Sequence, residues 1–123
     1  MPERMDVVLV VASSEALVQR CRQTTATVHR SVGVHHCGLK GAADAIASLV
    51  PLVVVVEESL NDFAGEELSG LCEAVGTGML VLDGEARDLE AGLERLAGSI
   101  GRAFRRRHRS APSSPGFPQV PGT

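Results

Sequence analysis

Neither tryptophan nor tyrosine occurs in the chain, and phenylalanine occurs only three times in 123 residues. A core without aromatics has to be built from Val, Leu, Ile and Ala, which favours helices packed tightly on a sheet over an aromatic-lined ligand pocket. Platforms for stacking bases are missing as well, which counts against single-stranded nucleic-acid binding. Cysteine is scarce: Cys21, Cys37 and Cys72 are widely spaced and odd in number, so the sequence offers no disulfide framework and no paired zinc-ligand spacing. A reducing, cytoplasmic setting is the expectation. The charged stretch from Met1 to Asp6 leads into only a short apolar run, which is neither a signal peptide nor a membrane span. No lysine follows Lys40, and no acidic residue follows Glu94.

That last absence divides the chain by charge. Residues 1–101 carry seven basic and fifteen acidic groups, a net of −8, whereas Arg102, Arg105, Arg106, Arg107 and Arg109 give the remainder +5. The body is acidic and the tail basic. The length suits a single domain with one core, placed at residues 1–108, followed by a Pro-, Ser- and Gly-rich tail at 109–123 whose composition predicts disorder.

What is present begins with Pro51-Leu-Val-Val-Val-Val-Glu57. An apolar run without polar alternation is what a central parallel strand needs when helices cover both of its faces. Pro51 can open such a strand, because only the first ladder donor is lost. Glu57 then falls at the strand's C-terminal end, where open α/β sheets bind ligands. Met5 to Val11 reads as an earlier strand, followed by a helix capped by Ser13 or Ser14 and running to about Gln23. Thr24, Thr25 and Thr27 weaken helix propensity there, so Val28 to Val34 is expected as the second strand and His35 to Gly38 as a turn. Gly41 to Leu49 reads as a helix, Asn61 to Gly65 as a loop, Glu66 to Val75 as a helix and Met79 to Leu82 as a fourth strand. Glu85 to about Arg107 is the longest helix, with Leu89, Leu93, Leu96, Ile100 and Phe104 on one stripe. Alternating strands and helices imply an α/β fold: an open parallel sheet of four strands (five at most) with helices on both faces.

With Val8-Leu-Val-Val11, Gly38-Leu-Lys-Gly-Ala-Ala-Asp-Ala-Ile46, Val50-Pro-Leu-Val-Val-Val-Val56 and Asp88-Leu-Glu-Ala-Gly-Leu-Glu-Arg-Leu96 ahead of the basic exit, residues 5 to about 108 resemble a bacterial response-regulator receiver domain. That resemblance implies a flavodoxin-like fold of five βα units. It also implies an acceptor aspartate after the third strand, a Mg²⁺-holding acidic pair after the first, and a lysine that reads the phosphoryl group. Here the acceptor position is Glu57, the acidic pair maps to Ala12 and Ser13, and the lysine has no counterpart. Phosphoryl transfer rests almost wholly on electrostatic stabilisation, so three departures together indicate a degenerate, non-enzymatic pseudo-receiver with no metal and no cofactor. About one βα unit is also missing, and Met79–Leu82 is either the family's fourth strand or its fifth. Either way an open sheet edge is left, to be covered by a partner or a second copy.

Two roles are open to Glu57: mimicry of a phosphorylated aspartate, or a plain solvated strand end. Glu57, Glu58 and Asp62 form either an acidic metal patch or, more simply, an acidic rim. His35-His36-Cys37 invites a metal assignment, but adjacent residues in extended chain point to opposite faces. Cys21 and Cys72 lie on apolar stripes and read as core thiols. Pro112, Pro115, Pro118 and Pro121 recur every third residue and would share one edge of a polyproline II helix behind Arg105, Arg106 and Arg107. That arrangement suits an aromatic-lined groove with an acidic rim. The arginines could also meet anionic lipid or, less well given the acidic body, nucleic acid. The expected function is a protein–protein interaction or dimerisation module in bacterial signalling, joined through the open edge or the last helix. A phosphorylation-responsive or Mg²⁺-binding regulator using Glu57 is the alternative, and a small-ligand-binding flavodoxin-like domain a further one.

Overall fold

In a computed structural model, residues 6–83 and 87–109 are described; the proline series of the tail lies outside them. The elements alternate strictly: β1 (Val7–Val11), α1 (Glu15–Val28), β2 (Gly33–Cys37), α2 (Leu39–Leu49), β3 (Val53–Glu57), α3 (Glu58–Val75), β4 (Gly78–Leu82) and α4 (Leu89–Arg109). All four strands are parallel, in the order β2-β1-β3-β4. This open α/β sheet is compatible with a flavodoxin-like fold.

The two unbroken valine-rich runs form the two central strands. Val8 to Val11 and Val54 to Val56 are wholly buried, because their alternate side chains enter two separate cores. Val8, Val10, Val53 and Val55 meet Leu17, Val18 and Cys21 of α1 and Leu93, Leu96 and Ile100 of α4. Leu9, Val11, Val54 and Val56 meet Ala42 and Ile46 of α2 and Leu68 and Cys72 of α3. From β1 the chain moves one way across α1's face, then returns through α2 and α3 on the opposite face. Reversing direction and face together keeps all three crossovers of one hand. The reversal leaves a crevice between β1 and β3, where their C-terminal ends diverge into α1 and α3.

Several boundaries differ from the sequence expectation. Helix α1 continues five residues past Gln23, because Thr25 and Val28 extend the inward stripe of Leu17, Val18 and Cys21. Packing outweighs the modest propensity cost of threonine here, and Thr27 Oγ1 donates to the Gln23 carbonyl at 2.9 Å. The second strand is therefore Gly33–Cys37, not Val28–Val34, and His35, His36 and Cys37 belong to it rather than to a turn. Helix α2 begins at Leu39, two residues before Gly41. Pro51 precedes β3 by two residues, its carbonyl accepting from Thr77 Oγ1 at 2.9 Å. The expected loop at Asn61–Gly65 is helical, with one non-helical residue, Ala64, kinking α3. Gly65 sits so close beneath Asn61 that a Cβ there would meet Asn61 Oδ1 at 2.3 Å. Arg87 and Asp88 form a turn before α4, which runs on to Arg109.

Helix α3 ends at a glycine. Gly76 adopts a left-handed φ of 75°, and Thr77 N–H donates to the Cys72 carbonyl at 2.8 Å. At the end of α2 the same left-handed position is filled by Val50, with φ of 43°, a conformation that a β-branched residue adopts only at a cost.

Candidate functional site

The crevice at the C-terminal ends of β1 and β3 brings together the positions that the sequence singled out. Ala12 is buried, and Ser13 and Ser14 lead into α1. Ser14 is the cap, its hydroxyl accepting from Leu17 N–H at 3.2 Å. Glu57 ends β3 and stands at the N-terminal boundary of α3, yet its side chain does not cap that helix. It crosses the crevice instead. Its Oε1 accepts from Ser13 N–H at 2.8 Å, Ser13 Oγ at 3.1 Å and Ser14 N–H at 3.3 Å.

The physical reason lies in α1. A helix N-terminus carries unsatisfied N–H groups and roughly half a positive charge, so it attracts an anion. Glu57 supplies that anion from within the chain, through hydrogen bonds strengthened by its charge. The longer glutamate arm spans the gap between strands. The arrangement ties the β1–α1 loop to the end of β3.

Beside it lies a cleft of about 320 Å³ lined by Glu57, Glu58, Ser59, Asp62 and Asp83. Among the described residues no three His, Cys, Asp or Glu side chains converge as a metal-holding group. The His35-His36-Cys37 run divides as strand geometry requires. His36 pairs in register with Val10, and its Nε2 donates to the Ala12 carbonyl at 2.8 Å. His35 pairs with Leu9 and is exposed, and Cys37 packs on the α2 side. Burial pushes all three thiols up, Cys21 to about 11, which leaves them as thiols rather than nucleophilic thiolates.

The arginines lie at the other end of the sheet. Arg105 is exposed, and Arg106 helps line a cleft of about 270 Å³ with Pro51, Leu52, Gly76, Ala103 and Arg107. Arg107 has an internal role: its guanidinium donates to Asp6 Oδ1 and to the Val50 carbonyl, each at 2.9 Å. His108 Nε2 meets the other Asp6 oxygen at 2.7 Å, and Phe104 stacks between His29 and His108 at 4.0 and 4.2 Å. Burial raises the Asp6 carboxyl, but the hydrogen bonds and charges of His108 and Arg107 outweigh it and hold the group below its ordinary value. Sequence reasoning missed this cluster. Asp6 stood out only as the end of a charged stretch running into the first strand, and the helical spacing of Phe104, Arg107 and His108 names no distant partner.

No helix among the described residues is long and apolar enough to cross a membrane. No family model matches the chain, and neither the curated proteins nor the solved structures yield a significant match.

Proposed function

We propose that the chain is a non-enzymatic pseudo-receiver that works as a protein–protein interaction module in bacterial signal transduction. The observation that carries this reading is the Glu57 carboxylate, engaged by Ser13 and Ser14 at the place where a receiver would accept a phosphoryl group. An acceptor needs a cation across the crevice and a lysine to steady the developing charge. Here Oε1 is held by three donors, Ala12 and Ser13 stand where the family has its acidic pair, and no lysine follows Lys40. The strand order supports the scaffold part of the reading, since β2-β1-β3-β4 is the flavodoxin-like order without its fifth strand. The Pro-rich tail and the exposed Arg105 before it would add a second contact to the same partner.

Intact-mass measurement after incubation with acetyl phosphate and Mg²⁺ tests the reading. The expected result is an unchanged mass. A phosphoryl adduct that disappears in Glu57→Gln would overturn it. The competing Mg²⁺-responsive regulator draws on the acidic cleft beside Glu57. Such a regulator would shift the amide resonances of residues 57–62 when Mg²⁺ is titrated, whereas the pseudo-receiver leaves them in place.

A further inference from the structure

We propose that the groove between α3 and β4 is the docking site for a basic amphipathic helix of a partner protein, an inference that rests on the interaction-module reading. In a parallel sheet both faces are normally covered. On the α2–α3 face that rule holds for β1 and β3, where Leu9, Val11, Val54 and Val56 are fully buried. It fails at β4. Met79 and Val81 point to the same face and are only half-buried, because α3 lies to one side of them and α4 has crossed to the opposite face. The result is an open groove of about 490 Å³ with one wall from α3 and a floor from β4.

The shape and charge of this groove specify its occupant. The space stands above the sheet, in the layer where helices lie, so a strand added in plane at the β4 edge would leave Met79 and Val81 bare. The α3 wall is low: Gly65, Ser69 and Gly70 face the groove, and a Cβ on Gly70 would meet nothing within 4 Å. Small residues permit a second helix to approach at the short end of the usual interaxial range. The ionisable groups on the wall are both acidic, Glu66 and Glu73, two helical turns apart on one side of α3. A partner helix with an apolar stripe and Lys or Arg at matching two-turn spacing complements them. A second copy of this chain fits less well, because the apolar stripe of its own basic helix, α4, is already buried in its core through Leu93, Leu96 and Ile100.

Two synthetic peptides of about 18 residues, roughly five helical turns, test the site. They share one leucine stripe and carry either lysine or glutamate on its flanks. Titrated into the ¹⁵N-labelled full chain, the lysine peptide should shift Gly65, Ser69, Gly70, Met79 and Val81 and bind about tenfold more tightly than the glutamate peptide. High salt should shrink that ratio, and the double variant Glu66→Gln, Glu73→Gln should abolish it. Gly70→Gln should block binding with no loss of thermal stability. Equal affinity for the two peptides would sink the proposal. So would a concentration-dependent dimer that protects Met79 and Val81 from exchange, which would assign the groove to a second copy. Shifts confined to α1 and α4 would remove this docking site while leaving the interaction reading intact. A phosphoryl adduct in the mass experiment would do the reverse.

Discussion

Gly92 of α4 lies against Leu82 of β4 so closely that a Cβ on the glycine would fall 2.6 Å from Leu82 Cδ2. Leu82 is buried, so its methyl group has to shift within the core to admit the added carbon. Alanine at this position gains roughly 1 kcal/mol of helix propensity but forces an overpacked contact costing typically 1–3 kcal/mol. Gly92→Ala should therefore destabilise by about 1 kcal/mol net. At Gly101, where a Cβ would touch only the Arg105 tip at 3.5 Å, the same change should stabilise by about 0.5–1 kcal/mol. Urea unfolding of both variants checks the opposite signs.

The bridge from Glu57 to Ser13 and Ser14 predicts a graded response. Glu57→Gln keeps an acceptor and loses the charge, and Glu57→Ala loses both. Because Ser13 is exposed, water can replace part of the lost bonding. The alanine variant should cost about 1–2 kcal/mol and the glutamine variant about half that. Hydrogen exchange at the Ser13 and Ser14 amides should accelerate in the same order. Unchanged exchange in the alanine variant would mean that the bridge holds nothing.

Asp6 predicts a pH dependence. Its folded carboxyl titrates below the ordinary value of 3.8, so the folded state favours the ionised form. The resulting stability is fully present above that ordinary value and is lost as pH falls through the lower folded one. Asp6→Asn should remove this dependence. At neutral pH it should also cost about 2 kcal/mol, since Arg107 would lose its charged partner in a half-buried site. Unfolding midpoints measured from pH 6 down to pH 2 should show a shallower acid limb in the variant.

Thr25 predicts a gain. Its side chain is buried in α1, and Oγ1 has no hydrogen-bond partner among the described residues. Valine keeps the branched shape and removes the orphaned hydroxyl. Thr25→Val should stabilise by about 1 kcal/mol, read as a raised thermal midpoint. A loss of stability would place an ordered water at that hydroxyl.

Strand identity and fold class were legible wherever the apolar pattern was long and uniform. Val7–Val11 and Val53–Val56 could only be strands covered on both faces, and the α4 stripe of Leu89, Leu93, Leu96 and Ile100 could only be a buried helical face. The misplaced boundaries fall where local propensity and tertiary packing disagree. Threonines ended α1 on paper, but their position over the core keeps it going to Val28. Asn61 to Gly65 carries loop-forming residues, yet the hydrophobic spacing of Leu60, Ala64 and Leu68 draws it into a kinked helix. At the crevice the sequence named Ser13 and Glu57 separately. The hydrogen bond between them depends on how far a glutamate reaches across two strands, a distance that no spacing encodes. The groove at Met79 and Val81 was legible only as an open edge, because the face to which α4 crosses is a property of the folded chain.

The Asp6–Arg107 pair has a consequence for how the chain is made. Its two members are 101 residues apart, and the same guanidinium also holds the carbonyl of Val50, the residue in a strained left-handed turn. A polypeptide emerging from the ribosome N-terminus first cannot make either contact until the last helix has been synthesised. β1 and the turn at Val50 therefore wait, unlatched, until α4 has emerged. The native clasp is a long-range contact, closed only after that point.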